Sequence, residues 1–245
     1  MMKTKYLQTK FQRLLAVLGE KGLMHVTVFL FNHFFAWPIT KYYQNLKQKR
    51  VNFCGVEITY LFHSYNHTWL NPRMIEVPII WYIVQHGENE NKRILEVGNV
   101  LSHYFPVKHD VIDKYEDAEG ITKQDIICFT PSHRYDLIIS ISTLEHVGYD
   151  EIPKRPEKIF CAIDHMKSLL REKGEMYITL PIGENPYLDG YLQEGRIRFD
   201  KQYNFIRTSR TEWRETTYED IAFAQLNKPF RFGNALIIGY FQNHG

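Results

Sequence analysis

Acidic side chains at strand ends are the first sign of chemistry in this chain. In "RILEVGNVLSHY" (93–104), the apolar residues Ile94, Leu95 and Val97 lead into Glu96, Gly98 and Asn99. A glycine at such a point lets the backbone turn sharply and come close to a ligand. Asp113, in "HDVIDKYE", stands 17 positions after Glu96. An acid about 20 residues past such a turn can accept both hydroxyls of a ribose. Asp125, in "KQDIICF", is placed to accept from an adenine amino group, with Ile126 packing on the ring. "YDLIISISTLEHVG" (135–148) then brings Ser140, Ser142, Glu145 and His146 to one strand end. Histidine is the commonest general base, so His146 is the candidate catalytic group; the alternative is a histidine that bonds a backbone carbonyl at a helix start.

These residues need a sheet to gather them. Strand-like runs fall at 93–97, 109–113, 124–129, 135–142 and 175–180, and "EKIFCAIDHMKSLL" (157–170) carries Ile159, Phe160, Ile163, Met166, Leu169 and Leu170 on one helical side. Short buried strands alternating with helices imply a parallel sheet covered on both faces. In such sheets ligands bind beyond the carboxyl ends of the strands. "FIRTSR" and "ALIIGYF" (235–241) have no long helix between them, which predicts an antiparallel closing pair. Upstream, 52–62 reads as a strand or hairpin around Gly55. Asn71 and Pro72 open a helix that Pro78 kinks and Gly87 ends.

Five segments in this order resemble the class I S-adenosylmethionine-dependent methyltransferases of the small-molecule type: "LEVGNVLSHY", "VIDKYE", "QDIICF", "YDLIISISTLEHVG" and "LLREKGEMYITLPIG". The resemblance covers residues 92–183. It implies a Rossmann-like, seven-stranded, mostly parallel α/β sheet with an antiparallel last strand, and S-adenosyl-L-methionine as cofactor. It places Glu96, Gly98, Asn99, Asp113, Asp125 and Ile126 around that cofactor. The family's glycine-rich loop carries three glycines and this one keeps only Gly98, with Val100 and Ser102 at the other positions. The cofactor has no pyrophosphate to cradle, so a reduced glycine set is compatible with binding. Methyl transfer would go to an O or N atom of a small-molecule or glycan-type acceptor, with Asn185, Tyr187 and Asp189 of "ENPYLD" on the substrate side. The alternative is a non-catalytic methyltransferase-fold scaffold that binds a partner through its N-terminal region.

Bulk properties narrow the field. A hydrophobic fraction of 44% with 24% charged residues describes a folded domain and not a disordered chain. Lys plus Arg is 30 against 28 Asp plus Glu, so no global field selects nucleic acid as partner. The local exception is 196–214, with six basic and two acidic residues among aromatics; it fits either a solvated hairpin or a binding loop. Cys54, Cys128 and Cys161 form no CxxC pair and read as buried free thiols of a reducing, cytoplasmic compartment. His63 and His67 lack a third ligand at useful spacing, so no metal site is expected.

The domain expectation is an N-terminal helical extension over 1–50 and a methyltransferase-like domain over 51–245. Leu7, Phe11, Leu14, Leu15 and Leu18 share one helical face. "LMHVTVFLFNHFFAW" (23–37) is 15 residues long, short of the roughly 20 that span a bilayer. It fits a helix packed on the domain, a helix packed on a second subunit of a homo-oligomer, or one lying peripherally in a membrane surface.

Overall fold

The computed structural model describes residues 49–245, together with Pro38, Lys41 and Tyr42. The extension expected over 1–50 and the apolar run at 23–37 lie almost wholly outside the described residues. The chain divides into two compact units, Met1–Lys47 and Gln48–Gly245, and the second holds the sheet and its helices. Among the described residues no helix is long and apolar enough to cross a membrane.

The second unit opens with a hairpin, β1 (Arg50–Phe53) and β2 (Val56–Thr59), turning through Cys54 and Gly55 at positive φ. Helix α1 (Arg73–Asn89) follows. Asn71 caps it as expected, its side-chain oxygen accepting from the Arg73 N–H at 3.0 Å. Pro78 does not break it. The carbonyl that Pro78 leaves without an amide is that of Met74, and the Leu61 N–H donates to it at 2.9 Å. That bond removes the main penalty of an interior proline. Burial of Met74, Ile75, Val77, Ile79 and Ile80 does the rest, at roughly 1.5–3 kcal/mol for each fully buried large aliphatic side chain. Gly87 does not end the helix either. It lies where α1 passes so close to the sheet that a Cβ would press on Ile94 and Leu137.

The remaining strands form one sheet: β3 (Ile94–Val97), β4 (Asp110–Asp113), β5 (Ile121–Lys123), β6 (Tyr135–Ile141), β7 (Leu170–Pro181), β8 (Lys201–Ser209), β9 (Glu212–Thr216) and β10 (Ala235–Gln242). Their order is β5-β4-β3-β6-β7-β10-β8-β9. The first five are mutually parallel, and β10 is inserted antiparallel between β7 and β8. This is a Rossmann-like α/β sheet with its last strand reversed, as the resemblance implied. It has eight strands and not seven, because the basic stretch after residue 196 folds back as the β8–β9 edge hairpin. Two of the six basic groups of 196–214 serve the fold, Arg207 in the hairpin and Arg196 before it. The buried Arg207 guanidinium donates to the carbonyls of Leu70, Trp69, Arg210 and Arg231, and Arg196 lies over the rings of Phe160 and Tyr191.

Period-two alternation divides the core. Leu95, Val97, Ile138, Met176 and Ile178 face α2 (Lys158–Ser168), α3 (Pro186–Gln193) and the short α4 (Tyr218–Ile221). Ile94 and Leu137 meet α1 on the other face. Two expectations fail locally. Residues 124–129 are not a strand: β5 ends at Lys123, and Asp125 caps a single turn over Ile126–Cys128 by accepting from the Ile127 N–H. The apolar "DIIC" could fill either role, and the side-chain cap selected the turn. The cysteines are free, but all three are exposed. Cys54 sits on the hairpin turn, Cys128 on that single turn, and Cys161 on the outer side of α2.

Candidate active site

At the carboxyl ends of β3, β4 and β6 lies a hollow of about 390 Å³, floored by Val97, Ile112 and Ile126. Gly98, Asn99, Asp113, Asp125 and His146 line it, together with Arg73, Lys114, Ser142 and Thr143. A larger hollow of about 590 Å³ sits at the opposite, amino-terminal ends of β3 and β4, among Lys92, Arg93, Lys108 and His109. Ligands of such sheets bind at the other edge.

The loop after β3 is built as a cradle. Gly98 has φ +88°, and a Cβ there would overlap the Thr143 side chain. Its N–H donates to the Ile112 carbonyl at 2.8 Å, and the Asn99 N–H donates to Asp113 Oδ2 at 3.1 Å. Asp113 Oδ1 accepts from the Tyr115 and Glu116 N–H groups, both at 2.8 Å. This carboxylate therefore ties two loops together and keeps one acceptor position on Oδ2 facing the hollow.

Glu96 is corrected. It does not line the hollow. Strand alternation turns it to the side opposite Val97, where it is fully buried. Its Oε1 accepts from the Val100 and Leu101 N–H groups at 2.8 Å each, and Oε2 meets His109 Nε2 at 3.0 Å. It holds the loop's shape from beneath.

Asp125 lines the hollow within a charge network that the sequence did not reveal. Its Oδ2 lies 2.7 Å from Lys158 Nζ and 3.0 Å from Lys114 Nζ, and the same two ammonium groups reach Glu151 Oε1 at 2.7 Å each. Burial pushes the Asp125 carboxyl up, but the two lysines outweigh it and hold the group below its ordinary range. One of its lone-pair sites, on Oδ1, is left for a further donor.

His146 lies where this hollow meets a second one of about 250 Å³, lined by His67, Asn71, Pro72, Glu76, Glu145, Pro181, Glu184 and Phe232. Arg73, Ser142 and His146 border both. His146 Nδ1 is 2.7 Å from Asp150 Oδ2. A carboxylate only accepts, so Nδ1 carries the proton and Nε2 presents its lone pair. That nitrogen is 3.7 Å from Glu145 Oε1.

The second hollow gathers Glu76, Glu145 and Glu184, of which the sequence placed only Glu145 at a strand end. Glu76, on α1, is fully buried; its Oε2 accepts from the Ser142 and Thr179 hydroxyls, both at 2.7 Å, and its Oε1 has no partner. Ser142 ends β6 in the left-handed region at φ 40°, a strained conformation that the Glu76 bond and its own N–H bond to Thr179 Oγ1 hold in place. Glu145 is 1% exposed, and neither of its carboxyl oxygens has a hydrogen-bond partner. Burial drives its pKa well above 4.5, opposed first by its own backbone N–H, aided by Glu184 and Glu76, and opposed again by Arg73. Glu184 is likewise raised by burial and by Glu76. Arg73 Nη1 is buried without a partner. Sequence spacing carried little of this: Glu76 comes from a helix 66 positions before Ser142.

Asn185, Tyr187 and Asp189 line neither hollow. Pro186 starts α3 directly, so the expected substrate loop is a capped helix start. The Asn185 side-chain oxygen accepts from the Tyr187 and Leu188 N–H groups at 3.0 and 3.2 Å. Its amide donates to the Glu145 carbonyl at 2.7 Å, which positions Glu145 from behind. Asp189 accepts from the Gly183 N–H, and burial raises it to about 6. Tyr187 is half exposed on the surface. His63 Nδ1 accepts from the Tyr65 N–H at 3.1 Å, and among the described residues no group of three or more His, Cys, Asp or Glu gathers as a metal site.

No family model matches the chain, and no curated relative matches it. Among solved structures it is similar to the N-methyltransferase NodS from Bradyrhizobium japonicum in complex with S-adenosylhomocysteine. That match has 13% identity and a TM-score of 0.40 over 71% of this chain and 92% of that one. It is also similar to a possible histamine N-methyltransferase from Thermotoga maritima, at 12% identity and a TM-score of 0.37 over 66% and 99% of the two chains. An S-adenosylmethionine-dependent methyltransferase from Archaeoglobus fulgidus matches at 15% identity and a TM-score of 0.38, over 66% and 93%.

Proposed function

We propose that this chain is a class I S-adenosylmethionine-dependent methyltransferase: the cofactor binds in the hollow beyond β3, β4 and β6, and the acceptor binds in the smaller hollow beside it. The observation that carries this reading is the junction of the two hollows at Arg73, Ser142 and His146. A transferase needs two ligands to meet at one point, and a fold retained only as a scaffold has no need of a built second hollow.

The residues fit the cofactor's parts. The Gly98 cradle brings bare backbone to the pocket edge. The remaining acceptor position of Asp113 suits a ribose hydroxyl, and Ile112 and Ile126 offer an apolar bed for a base. Arg73 Nη1, buried and without a partner, is a cation available to a carboxylate. When bound, the cofactor supplies an activated methyl group on a sulfonium. The chain's own share is positioning, which can account for much of the rate in a displacement of this kind. His146, oriented by Asp150, is the group at the junction able to take a proton from an O or N nucleophile and pass it to solvent.

A hollow of about 250 Å³ suits a small acceptor. A glycan-type acceptor draws less support, because Arg207 and Arg196 of the basic hairpin are engaged within the fold. Calorimetric titration with S-adenosylhomocysteine tests the reading. Micromolar binding is expected, weakened by roughly tenfold to a hundredfold in Asp113→Ala. A folded protein that binds neither S-adenosylhomocysteine nor S-adenosylmethionine would transfer the weight to the scaffold alternative.

A further inference from the structure

We infer that the smaller hollow is a recognition site for an amine, and that Glu145 and Glu184 receive the protonated nitrogen of the acceptor. This rests on the transferase reading only in calling the occupant an acceptor; the chemistry of the hollow stands on its own.

The hollow carries three acids, Glu76, Glu145 and Glu184, from three elements of the fold. Buried carboxyl groups are ordinarily paired or hydrogen-bonded, because an unpartnered one costs about 1–3 kcal/mol or more. Here three carboxyl oxygens, Oε1 and Oε2 of Glu145 and Oε1 of Glu76, are buried with no protein partner. None has a side-chain hydrogen-bond donor within reach; Glu145 has only its own backbone N–H and, at 3.7 Å, His146 Nε2. Arg73, the arginine that lines this hollow among the described residues, also borders the larger hollow. The complement of unmatched acceptors in an acidic hollow is a small ligand with several N–H donors and a positive charge. An alcohol brings one donor and no charge, and a carboxylic acceptor would meet like charge. Pro72, Pro181 and Phe232 supply an apolar wall for a hydrocarbon frame.

The same groups handle the proton that an ammonium must lose before its nitrogen can act as a nucleophile. A bound ammonium favours the ionised form of Glu145, whose proton leaves as the cation enters; the N–H bond of the ammonium then breaks, its electron pair stays on nitrogen, and the proton joins a Glu145 oxygen and restores the neutral acid. Burial favours the neutral acid, so the transfer relieves a buried charge. The groups that bear on Glu145 are Glu76 and Arg73 from α1, Glu184 from the segment after β7, and His146 on its own turn. The Nε2 lone pair of His146, 3.7 Å from Oε1, is placed to take the proton onward, and His146 is half exposed to solvent. Asn185 holds the Glu145 backbone in this position.

The test uses the full chain saturated with S-adenosylhomocysteine and follows ligand binding by saturation-transfer NMR and calorimetry. Butyl, cyclohexyl and phenylethyl frames are each presented as the amine, the alcohol and the carboxylate. Amines are expected to bind about tenfold or more tightly than the matched alcohols, with the carboxylates weaker still. Glu145→Gln is expected to erase most of that preference without lowering Tm, since glutamine fills the same volume. Glu184→Gln is the second variant, expected to reduce the preference in the same direction. The inference is overturned if no amine binds, if alcohols or carboxylates bind as well as amines, or if the preference survives both substitutions. S-adenosylhomocysteine affinity is read separately. Amine selection without cofactor binding would sink the transferase reading and leave this one standing, and the reverse result would do the opposite.

Discussion

The two hollows that meet at His146 are built from the same kind of side chain and treat it in opposite ways. On the cofactor side, Asp113 accepts from three backbone amides and Asp125 is held by two lysines and an amide. In the smaller hollow, Glu145 has no side-chain hydrogen-bond partner and Glu76 is half satisfied. Satisfied acids fix a shape: they hold loops in the geometry that a ligand will use, and keep a single position over for it. Unsatisfied buried acids cannot be explained by stability, since each one weakens the fold. The difference separates a preorganised cradle from a pocket whose hydrogen bonds are completed only by what enters it.

The comparison can be broken most sharply at Gly98. Gly98→Ala puts a Cβ at positive φ against the Thr143 side chain. Left-handed strain and overlap together should cost roughly 2–4 kcal/mol in urea unfolding and abolish S-adenosylhomocysteine binding in calorimetry. Full affinity in this variant would mean that the cradle is not where the cofactor lies.

Glu96→Gln should act next, and indirectly. Glutamine keeps one oxygen for the Val100 and Leu101 N–H groups but loses the charge, and its amide can meet His109 only if the ring turns an accepting Nε2 toward it. A stability loss of about 1–3 kcal/mol is expected, with weaker cofactor binding and an unchanged amine preference in the other hollow. Loss of both ligands together would show that the two regions are not independent.

Glu145→Gln should change stability in the opposite sense, and its pH dependence gives the sign. Burial raises the folded-state pKa of Glu145 above the ordinary 4.5. Its full stability is therefore present below that value and is lost as pH rises toward the folded pKa, because only the unfolded chain then sheds the proton readily. The glutamine variant has no such loss. Thermal melts should show it gaining on the parent as pH climbs above about 4.5, with a near-constant advantage once the folded group also ionises. A difference that does not vary with pH would show that Glu145 is not the buried, unmatched acid described here.

The smallest effect is expected in the lysine network. Lys158→Met removes one of two ammonium partners of Asp125 and Glu151 in a partly exposed setting. About 1 kcal/mol or less of stability should be lost, more at low ionic strength than at high, and Asp125 should titrate closer to its ordinary range by NMR. A loss of cofactor affinity beyond a few-fold would give the lysine a direct part in binding.

Much of the lining of the larger hollow was legible in the chain because it is local. Gly98, Asn99, Asp113, Asp125 and Ile126 each follow a strand or strand-like run, and a parallel sheet brings its carboxyl ends to one edge whatever the details. His146 was legible for the same reason. Glu96 misled, because a residue one step before a turn looks equivalent to one after it until strand alternation decides which way it faces. "ENPYLD" misled because a proline after an asparagine suits an extended loop and a helix start equally well. The smaller hollow was mostly illegible: Glu145 follows a strand-like run, but no spacing rule links it to Glu76 or Glu184, which come from separate elements.

The sequence by itself determined the alternation of buried strands and helices, the reversed closing strand and the acids at the strand ends. Those follow from hydrophobic periodicity and turn chemistry, which act over a few residues at a time. Only the tertiary structure decided which acids face a ligand and which are consumed by backbone amides. It also decided that Pro78 stays inside a helix because Leu61 serves the freed carbonyl, and that three distant glutamates share one hollow. Burial and hydrogen-bond partnership are properties of the packed chain, and two carboxyl groups with identical neighbours in sequence can differ in both.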